Sequence, residues 1–259
     1  MGTTMVNTGL WGARLHHFDT LPSTNQWMIE HMGSCAHGDV VRAISQTAGR
    51  GRFQRPWIAP AGLCLTFSVL FRRGADDWLH PVIGQAAALA VLAALEPYAV
   101  PALLKWPNDV LVHERKIAGI LAEKTPDGHG VVLGIGLNVN LAEADLAAIQ
   151  LLQPATSMWI ETGLPLDIEA IFAGLLGALQ STLDQVMQNG KPYLLECWRP
   201  HDALAGRPIS IHTADTTISG LYTGMDVEGR LCLKDDTGRA HTFWAGDVSI
   251  RHRDAPRDR

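Results

Sequence analysis

Arginine and lysine set beside glycine are the residues of this chain that could grip an anion. Gln46 to Trp57 reads Gln-Thr-Ala-Gly-Arg-Gly-Arg-Phe-Gln-Arg-Pro-Trp. Arg50, Arg52 and Arg55 put three permanent charges close together, and guanidinium suits phosphate or carboxylate. Gly49 and Gly51 permit φ > 0 and close approach of the backbone to a ligand. Alone, the stretch reads equally as a lid over an anionic small molecule or as a solvated basic turn. Gly/Arg runs also occur in RNA-binding segments. Two more polar clusters interrupt apolar β-type runs: Lys105 with Asn108-Asp109, and Lys116 followed by Gly119. A buried lysine needs a counter-charge, which a phosphate would supply. Taken alone, Lys105 reads rather as the partner of Asp109 in a structural ion pair. Ser23-Thr24-Asn25 precedes an apolar-periodic stretch, so Ser23 or Thr24 is a natural helix cap. The same side chains, with free helix N–H groups, could hold a polar ligand group.

Other chemistries lack their residues. There is no nucleophile elbow, metal-ligand cluster or Walker loop. Gly134-Ile-Gly136-Leu-Asn138 has no third glycine, so it is not a dinucleotide fingerprint. A glycine pair alternating in a strand instead leaves one face bare, as close approach of another group would require. His16 and His17 are adjacent, so in a strand they point to opposite faces. Cys35, Cys64, Cys197 and Cys232 are far apart and form no Cys-x-x-Cys pair. They indicate neither zinc nor a redox dithiol, and read as structural thiols of a reducing cytoplasm. Catalysis would come from positioning and charge stabilisation. That suits attack by a carboxylate on the α-phosphate of a nucleotide, which needs little proton transfer.

The elements that must position these residues are mostly short and β-type. Arg14–Phe18, Val40–Ser45 and Leu63–Phe71 read as strands, and the last two frame the arginine stretch. Trp78–Leu95 reads as an alanine-rich amphipathic helix packed closely against a sheet. Leu103–Trp106, Val110–Val112, Lys116–Lys124 and Gly130–Asn140 continue a mixed, largely antiparallel sheet. Arg115 and Lys124 read as solvated. Glu143–Leu152 and Leu166–Gln188 read as helices, Asn189-Gly190 as a break, and Pro192–Trp198 as a further helical piece. Ala155–Thr162 is ambiguous. After Pro200 five short β-type runs recur with Gly or Asp turns: Pro208–His212, Ile218–Met225, Leu231–Lys234, His241–Trp244 and Val248–Arg251. They suggest a small barrel. The expected division is 13–204 and 205–252, with a loose leader from Met1 to Gly12 and a charged, disordered tail from Asp254.

The chain of 259 residues is 47% hydrophobic and 18% charged, a globular composition. It has no apolar run of about 18 residues and no signal peptide, so neither a membrane span nor secretion is expected. A net charge of −5 argues against a general nucleic-acid binder. Too few residues precede Leu15 for a helix-turn-helix.

Together, Ser23-Thr24-Asn25, Gln46 with Gly49-Arg50-Gly51-Arg52, Arg55 and Trp57, Lys105-Trp106-Pro107-Asn108-Asp109, Lys116-Ile117-Ala118-Gly119-Ile120-Leu121, and Gly134-Ile135-Gly136-Leu137-Asn138 resemble the motifs of biotin–protein ligases, in family order. The resemblance implies an α+β fold, the biotin ligase catalytic domain akin to class II aminoacyl-tRNA synthetases, with a C-terminal SH3-like barrel. It implies two steps: biotin and ATP give biotinyl-5′-AMP and pyrophosphate, then a lysine of a biotin carboxyl carrier domain takes the biotinyl group and AMP leaves. Biotin would contact Ser23, Thr24, Asn25, Gln46, Gly49, Arg50, Arg52 and Lys116, with Gly119, Leu121, Gly134 and Gly136 as walls and floor. The nucleotide would meet Arg50, Arg52, Arg55, Trp57, Lys105, Asn108, Lys116 and Asn138. Lys116, Arg52 and Asp109 would be catalytic; Asn108 and Asp109 would face nucleotide and Mg2+ or the incoming lysine. Trp159 is the nearest aromatic after the glycine strand and a candidate to stack on adenine. No residue is assigned as a resident metal ligand, and no permanently bound cofactor is implied. Partners would be the carrier domain, biotin and ATP, without DNA or membrane, and a homodimer is left open. The implied location is cytoplasmic, and the implied type lacks repressor activity. The rivals are a lipoate or octanoate ligase or transferase of the same superfamily, and a non-catalytic biotin-binding regulator.

Overall fold

The computed structural model describes residues 11–72, 77–149, 153–213 and 216–251. The expected leader up to residue 10, the end of the helix expected through Leu152, and the tail from residue 252 lie outside them. Seven strands form the main sheet: β1 (Leu15–Leu21), β2 (Val40–Gln46), β3 (Cys64–Arg72), β4 (Leu103–Lys105), β5 (Asp109–Val112), β6 (Arg115–Lys124) and β7 (Gly130–Asn138). Their order is β1-β2-β3-β7-β6-β5-β4. Only β1–β2 is parallel; every other pairing is antiparallel, as expected from the short turns. The parallel pair needs a crossover, and α1 (Thr24–His31) lies within it.

The two central strands, β3 and β7, are buried at nearly every position, so both faces of the sheet are covered. Alternation divides their side chains between two cores. Phe67, Val69, Leu133, Ile135 and Leu137 join the core that contains α2 (Ile83–Leu95) and α5, which spans Ile168–Trp198. Leu70 and Val132 instead pack with Met28 of α1 and with Val41 and Ala43 of β2. α2 departs from expectation. It starts at Ile83, after a 3-10 turn over Asp77–Val82, and is buried on most of its surface rather than amphipathic. Its alanine run lets it lie in the same core as both sheet and α5. α3 (Glu143–Ile149) and α4 (Met158–Thr162) follow β7. α5 is interrupted at Gly190, whose φ of 79° and ψ of −177° are not helical, so Asn189-Gly190 does divide two helical pieces.

The C-terminal strands β8 (Pro208–His212), β9 (Thr217–Met225), β10 (Leu231–Asp235), β11 (Ala240–Phe243) and β12 (Asp247–Ile250) form an antiparallel sheet ordered β11-β10-β9-β8-β12. It shares the main core through Ile209, Ile211, Tyr222 and Leu233. Polar contacts fix it further. Trp106 Nε1 and Gln85 Nε2 donate to the Gly229 carbonyl at 3.0 and 3.3 Å, and Tyr222 Oη donates to Asp202 at 2.6 Å. Among the described residues no helix is long and apolar enough to cross a membrane.

Candidate active site

Register across three strands builds the floor. Ser68, Gly134 and Leu121 are paired neighbours on β3, β7 and β6, and Thr66, Gly136 and Gly119 form the next row. A Cβ on Gly134 would overlap Asn25, and one on Gly136 would overlap the Trp57 indole. One on Gly119 would stand 2.9 Å from Lys116 Cε. The alternating glycines therefore admit three side chains onto the sheet, which the bare strand face called for.

Over this floor stands the first turn of α1. Ser23 Oγ caps it, accepting from Gln26 N–H. Gln46 Oε1 accepts from Thr24 N–H at 2.7 Å, which leaves the Gln46 amino group directed elsewhere. Ser68 Oγ lies 2.8 Å from Thr24 Oγ1 and donates to Asn25 Oδ1 at 2.5 Å. Ser23, Thr24, Asn25 and Ser68 are all at most 4% exposed. Ser23, Thr24 and Asn25, with Gln46, Arg50, Trp57 and Leu121, line a pocket of about 30 Å3. That is room for about two waters. Arg50 Nε and Trp57 Nε1 are buried without a hydrogen-bond partner, and buried donors of that kind call for a ligand or a rearrangement.

The arginine stretch forms a compact turn between β2 and β3. Trp57 N–H donates to the Gly49 carbonyl at 2.9 Å and Gly51 N–H to the Arg55 carbonyl at 2.7 Å. The expected positive φ at the glycines is not found: it falls on Phe53 (54°) and Gln54 (57°) instead. Gly49 is needed for close approach, since a Cβ there would lie 2.5 Å from the Trp57 carbonyl oxygen. The turn reaches the C-terminal sheet. Arg52 donates to the Gly246 carbonyl at 3.2 Å and to Asn108 Oδ1 at 3.4 Å, and Arg55 pairs with Asp247 at 2.5 Å. Burial pulls the Arg52 guanidinium down from its ordinary value. Burial also pushes the Asp247 carboxyl up, but the Arg55 hydrogen bond and charge outweigh it and hold it below the ordinary range.

Lys116 meets Asp109 at 2.6 Å, with the two side chains only 18% and 17% exposed. A β-bulge makes this possible. The pairing of β5 with β6 shifts between Val110 and Leu111, which face Ala118 and Lys116. Ile117 is the extra residue and turns into the core. Without it, strict alternation would put Lys116 on the opposite face from Gly119. The segment after α3 holds the lysine backbone: Lys116 N–H donates to the Pro154 carbonyl and Thr156 N–H to the Lys116 carbonyl, both at 2.9 Å. Lys116 Nζ lies 5.6 Å from the Trp57 ring centre. Beyond Lys116 opens a cavity of about 450 Å3, lined by Arg52, Arg55, Trp57, Lys105, Asn108, Asp109, Gly119 and Asn138, with Asp247 and Ser249 from the C-terminal sheet.

The residues that the resemblance assigns to biotin and nucleotide line the two cavities or, for Gly49, lie in the arginine turn. Trp159 does not: it lines neither, and Trp57 is the aromatic side chain between them. Lys105 faces Asp109 across β4–β5, but the ion pair of Asp109 is with Lys116. Arg115 is not simply solvated; it pairs with Glu143 and with Glu161, whose side chain is 7% exposed. Four groups escape a reading of the sequence: Thr66 and Ser68, two hydroxyls alternating in an apolar strand; Glu123, two residues beyond Leu121 on the same face; and Asp247, which only tertiary contact brings near. The four cysteines are free thiols. His16, Cys35 and Asp39 offer ligand atoms within 4.8 Å of one another, but the Arg14 guanidinium already occupies Asp39 at 2.6 Å.

The family model for biotin/lipoate A/B protein ligases matches residues 17–140. The chain is 35% identical over 235 residues to the biotin–[acetyl-CoA-carboxylase] ligase of Paracoccus denitrificans, covering 86% of this chain and 98% of that protein. It belongs to the biotin/lipoate A/B protein ligase family. Within that family it is also 33% identical to the bifunctional ligase/repressor BirA of Escherichia coli, over 89% of this chain and 72% of that one. The biotin protein ligase of Aquifex aeolicus, solved with biotin and ATP, aligns with a TM-score of 0.75 and 25% identity over 92% of this chain and 98% of its own.

Proposed function

We propose that this chain is an ATP-dependent biotin ligase. It joins biotin to AMP as biotinyl-5′-AMP, releasing pyrophosphate, and passes the biotinyl group to a lysine of a biotin carboxyl carrier domain. The observation that carries this reading is the meeting of two cavities at Trp57 and Leu121, beside Lys116. A small pocket rich in fixed hydrogen-bonding groups ends where a cationic cavity of nucleotide size begins. The ureido ring would occupy the pocket formed by Ser23, Thr24, Asn25 and Gln46. The biotin carboxylate would then reach Lys116, and ATP would fill the cavity.

In the first step a carboxylate oxygen forms a bond to the α-phosphorus, and the bond from that phosphorus to the bridging oxygen breaks. Two anions must meet, so the contribution of the protein is positive charge: Lys116 at the junction, Arg50 and Arg52 from the turn, and Lys105 on the cavity wall. In the second step the carrier amine attacks the carboxyl carbon, AMP leaves, and the amine loses a proton. Asp109 is the carboxylate next to the junction that could take it. Arg50 and Trp57 line the biotin pocket, and their closing over the adenylate would keep water from the reactive anhydride. Magnesium suits this site as an ion carried in on the phosphates, because the two carboxylates lining the cavity are already paired with Lys116 and Arg55. We take residues 13–204 as the catalytic domain and 205–252 as an SH3-like domain that completes the nucleotide cavity. Four free thiols and a need for ATP fit the cytoplasm.

A lipoate ligase would need a slot for a linear acyl chain, whereas this pocket buries a polar network. Incubation with ATP, a carrier domain and either biotin or lipoate tests the reading. Labelling by biotin supports it, labelling by lipoate alone replaces it with the related transfer, and binding of biotin without labelling leaves a regulator.

A further inference from the structure

We infer that Glu123 is a positioning residue that fixes the polarity of the biotin pocket and couples it to the arginine turn. The inference rests on the pocket taking the biotin head group. Gly119, Leu121 and Glu123 alternate on β6, so Glu123 shares the pocket face of the sheet. It does not line the pocket itself; Asn25, Leu121 and Arg50 do. Its carboxylate has two neighbours. Oε2 accepts from Asn25 Nδ2 at 2.7 Å, and Oε1 lies 3.8 Å from an Arg50 guanidinium nitrogen.

The Asn25 carboxamide could in principle sit either way round. Here Nδ2 gives one proton to Glu123 and faces the Leu121 carbonyl at 3.3 Å. Both partners can only accept. A flipped amide would set its carbonyl against two oxygens, so Glu123 holds the amide in one orientation. Asn25 Oδ1 then stands over Gly134, where a Cβ would displace it, and receives the Ser68 hydroxyl. A carbonyl has two lone pairs, so one remains for a ligand N–H. Glu123 thereby presents Asn25 as an acceptor, the match for a cyclic urea nitrogen. The other oxygen of the same carboxylate faces Arg50, a residue of the arginine turn that lines the pocket. Head-group recognition and closure of the turn share one anion.

Glu123→Gln keeps the shape and removes the charge. The amide it introduces can also donate, which frees Asn25 to turn. We expect biotin to bind about five- to tenfold more weakly, mainly through faster dissociation, followed by stopped-flow tryptophan fluorescence. ATP affinity without biotin should stay within twofold, and so should kcat at saturating biotin, because Glu123 touches no reacting atom. A purely structural role would lower melting temperature and weaken both ligands together. Coupling separates the two further. In an Asn25→Ala background, Glu123→Gln should cost less in biotin affinity than in the wild type. Biotin dissociation in Glu123→Gln within twofold of wild type, equal losses for biotin and ATP, or strict additivity with Asn25→Ala would overturn the inference. Wild-type protein that fails to bind biotin at all would overturn the functional reading instead.

Discussion

Replacing Lys116 by alanine separates its catalytic from its structural role. Lys116 and Asp109 are 2.6 Å apart and each less than one-fifth exposed. Breaking a fully buried pair of this kind costs about 3–5 kcal/mol. Here the pair borders a cavity of about 450 Å3 that water can enter, so the unpaired Asp109 is rehydrated. A loss of about 1–2 kcal/mol of stability follows, which lowers the melting temperature by about 2–8 °C in a chain of this size. The catalytic loss is larger. Removing one preorganised partner of developing charge costs about 3–4 kcal/mol, or a factor of about 10²–10³ in rate. The assay is biotin-dependent pyrophosphate release at saturating biotin and ATP. Lys116→Ala should be folded and at least about a hundredfold slower. Adding Asp109→Asn should restore stability without restoring the rate. Pyrophosphate release within tenfold of wild type would refute the assignment of Lys116 to the junction of carboxylate and α-phosphate.

Other outcomes follow from single contacts. Gly136→Ala sets a Cβ into the Trp57 indole, so it should displace Trp57 and weaken biotinyl-AMP retention at least tenfold; unchanged adenylate dissociation would contradict this. Burial pushes the Cys64 thiol up to about 12, so iodoacetamide at pH 8 should leave Cys64 intact in native protein and modify it in urea, read by mass spectrometry. Burial raises the Asp39 carboxyl, but hydrogen bonds from Arg14 and the Ala36 N–H outweigh it and hold it below its ordinary 3.8. Its stabilising contribution is therefore complete above the unfolded value and fades as pH falls through the folded one. Asp39→Asn should be less stable than wild type at pH 7, and thermal melts should bring the two together in acid. A gap that persists or widens in acid would be the contrary result.

Much of the fold is legible in the sequence because its strands are short and bounded by turn residues. The long helix broken at Asn189-Gly190 is equally legible, since glycine and proline act locally. α2 reads wrongly as amphipathic because its alanines are compatible with either a surface or a buried helix. Only the presence of α5 on its other side decides. The site divides in the same way. Residues in contiguous motifs are visible, whereas Ser68, Glu123 and Asp247 depend on register or on contact between the two sheets. Lys116 is the sharpest case. Its identity is plain, but the face it occupies depends on the bulge at Ile117, which a period of two does not foresee. The glycines of the arginine turn show the converse: Gly49 is required by close approach, while the left-handed backbone falls on Phe53 and Gln54.

The most direct test of the central claim is transfer to a carrier domain, followed by mass spectrometry after incubation with ATP, magnesium and an equimolar mixture of biotin and lipoate. The account predicts that the carrier gains one biotinyl group on a single lysine, that AMP and pyrophosphate appear in equal amounts, and that no lipoyl carrier forms. A lipoyl carrier, or an unmodified carrier beside intact ATP, would contradict it.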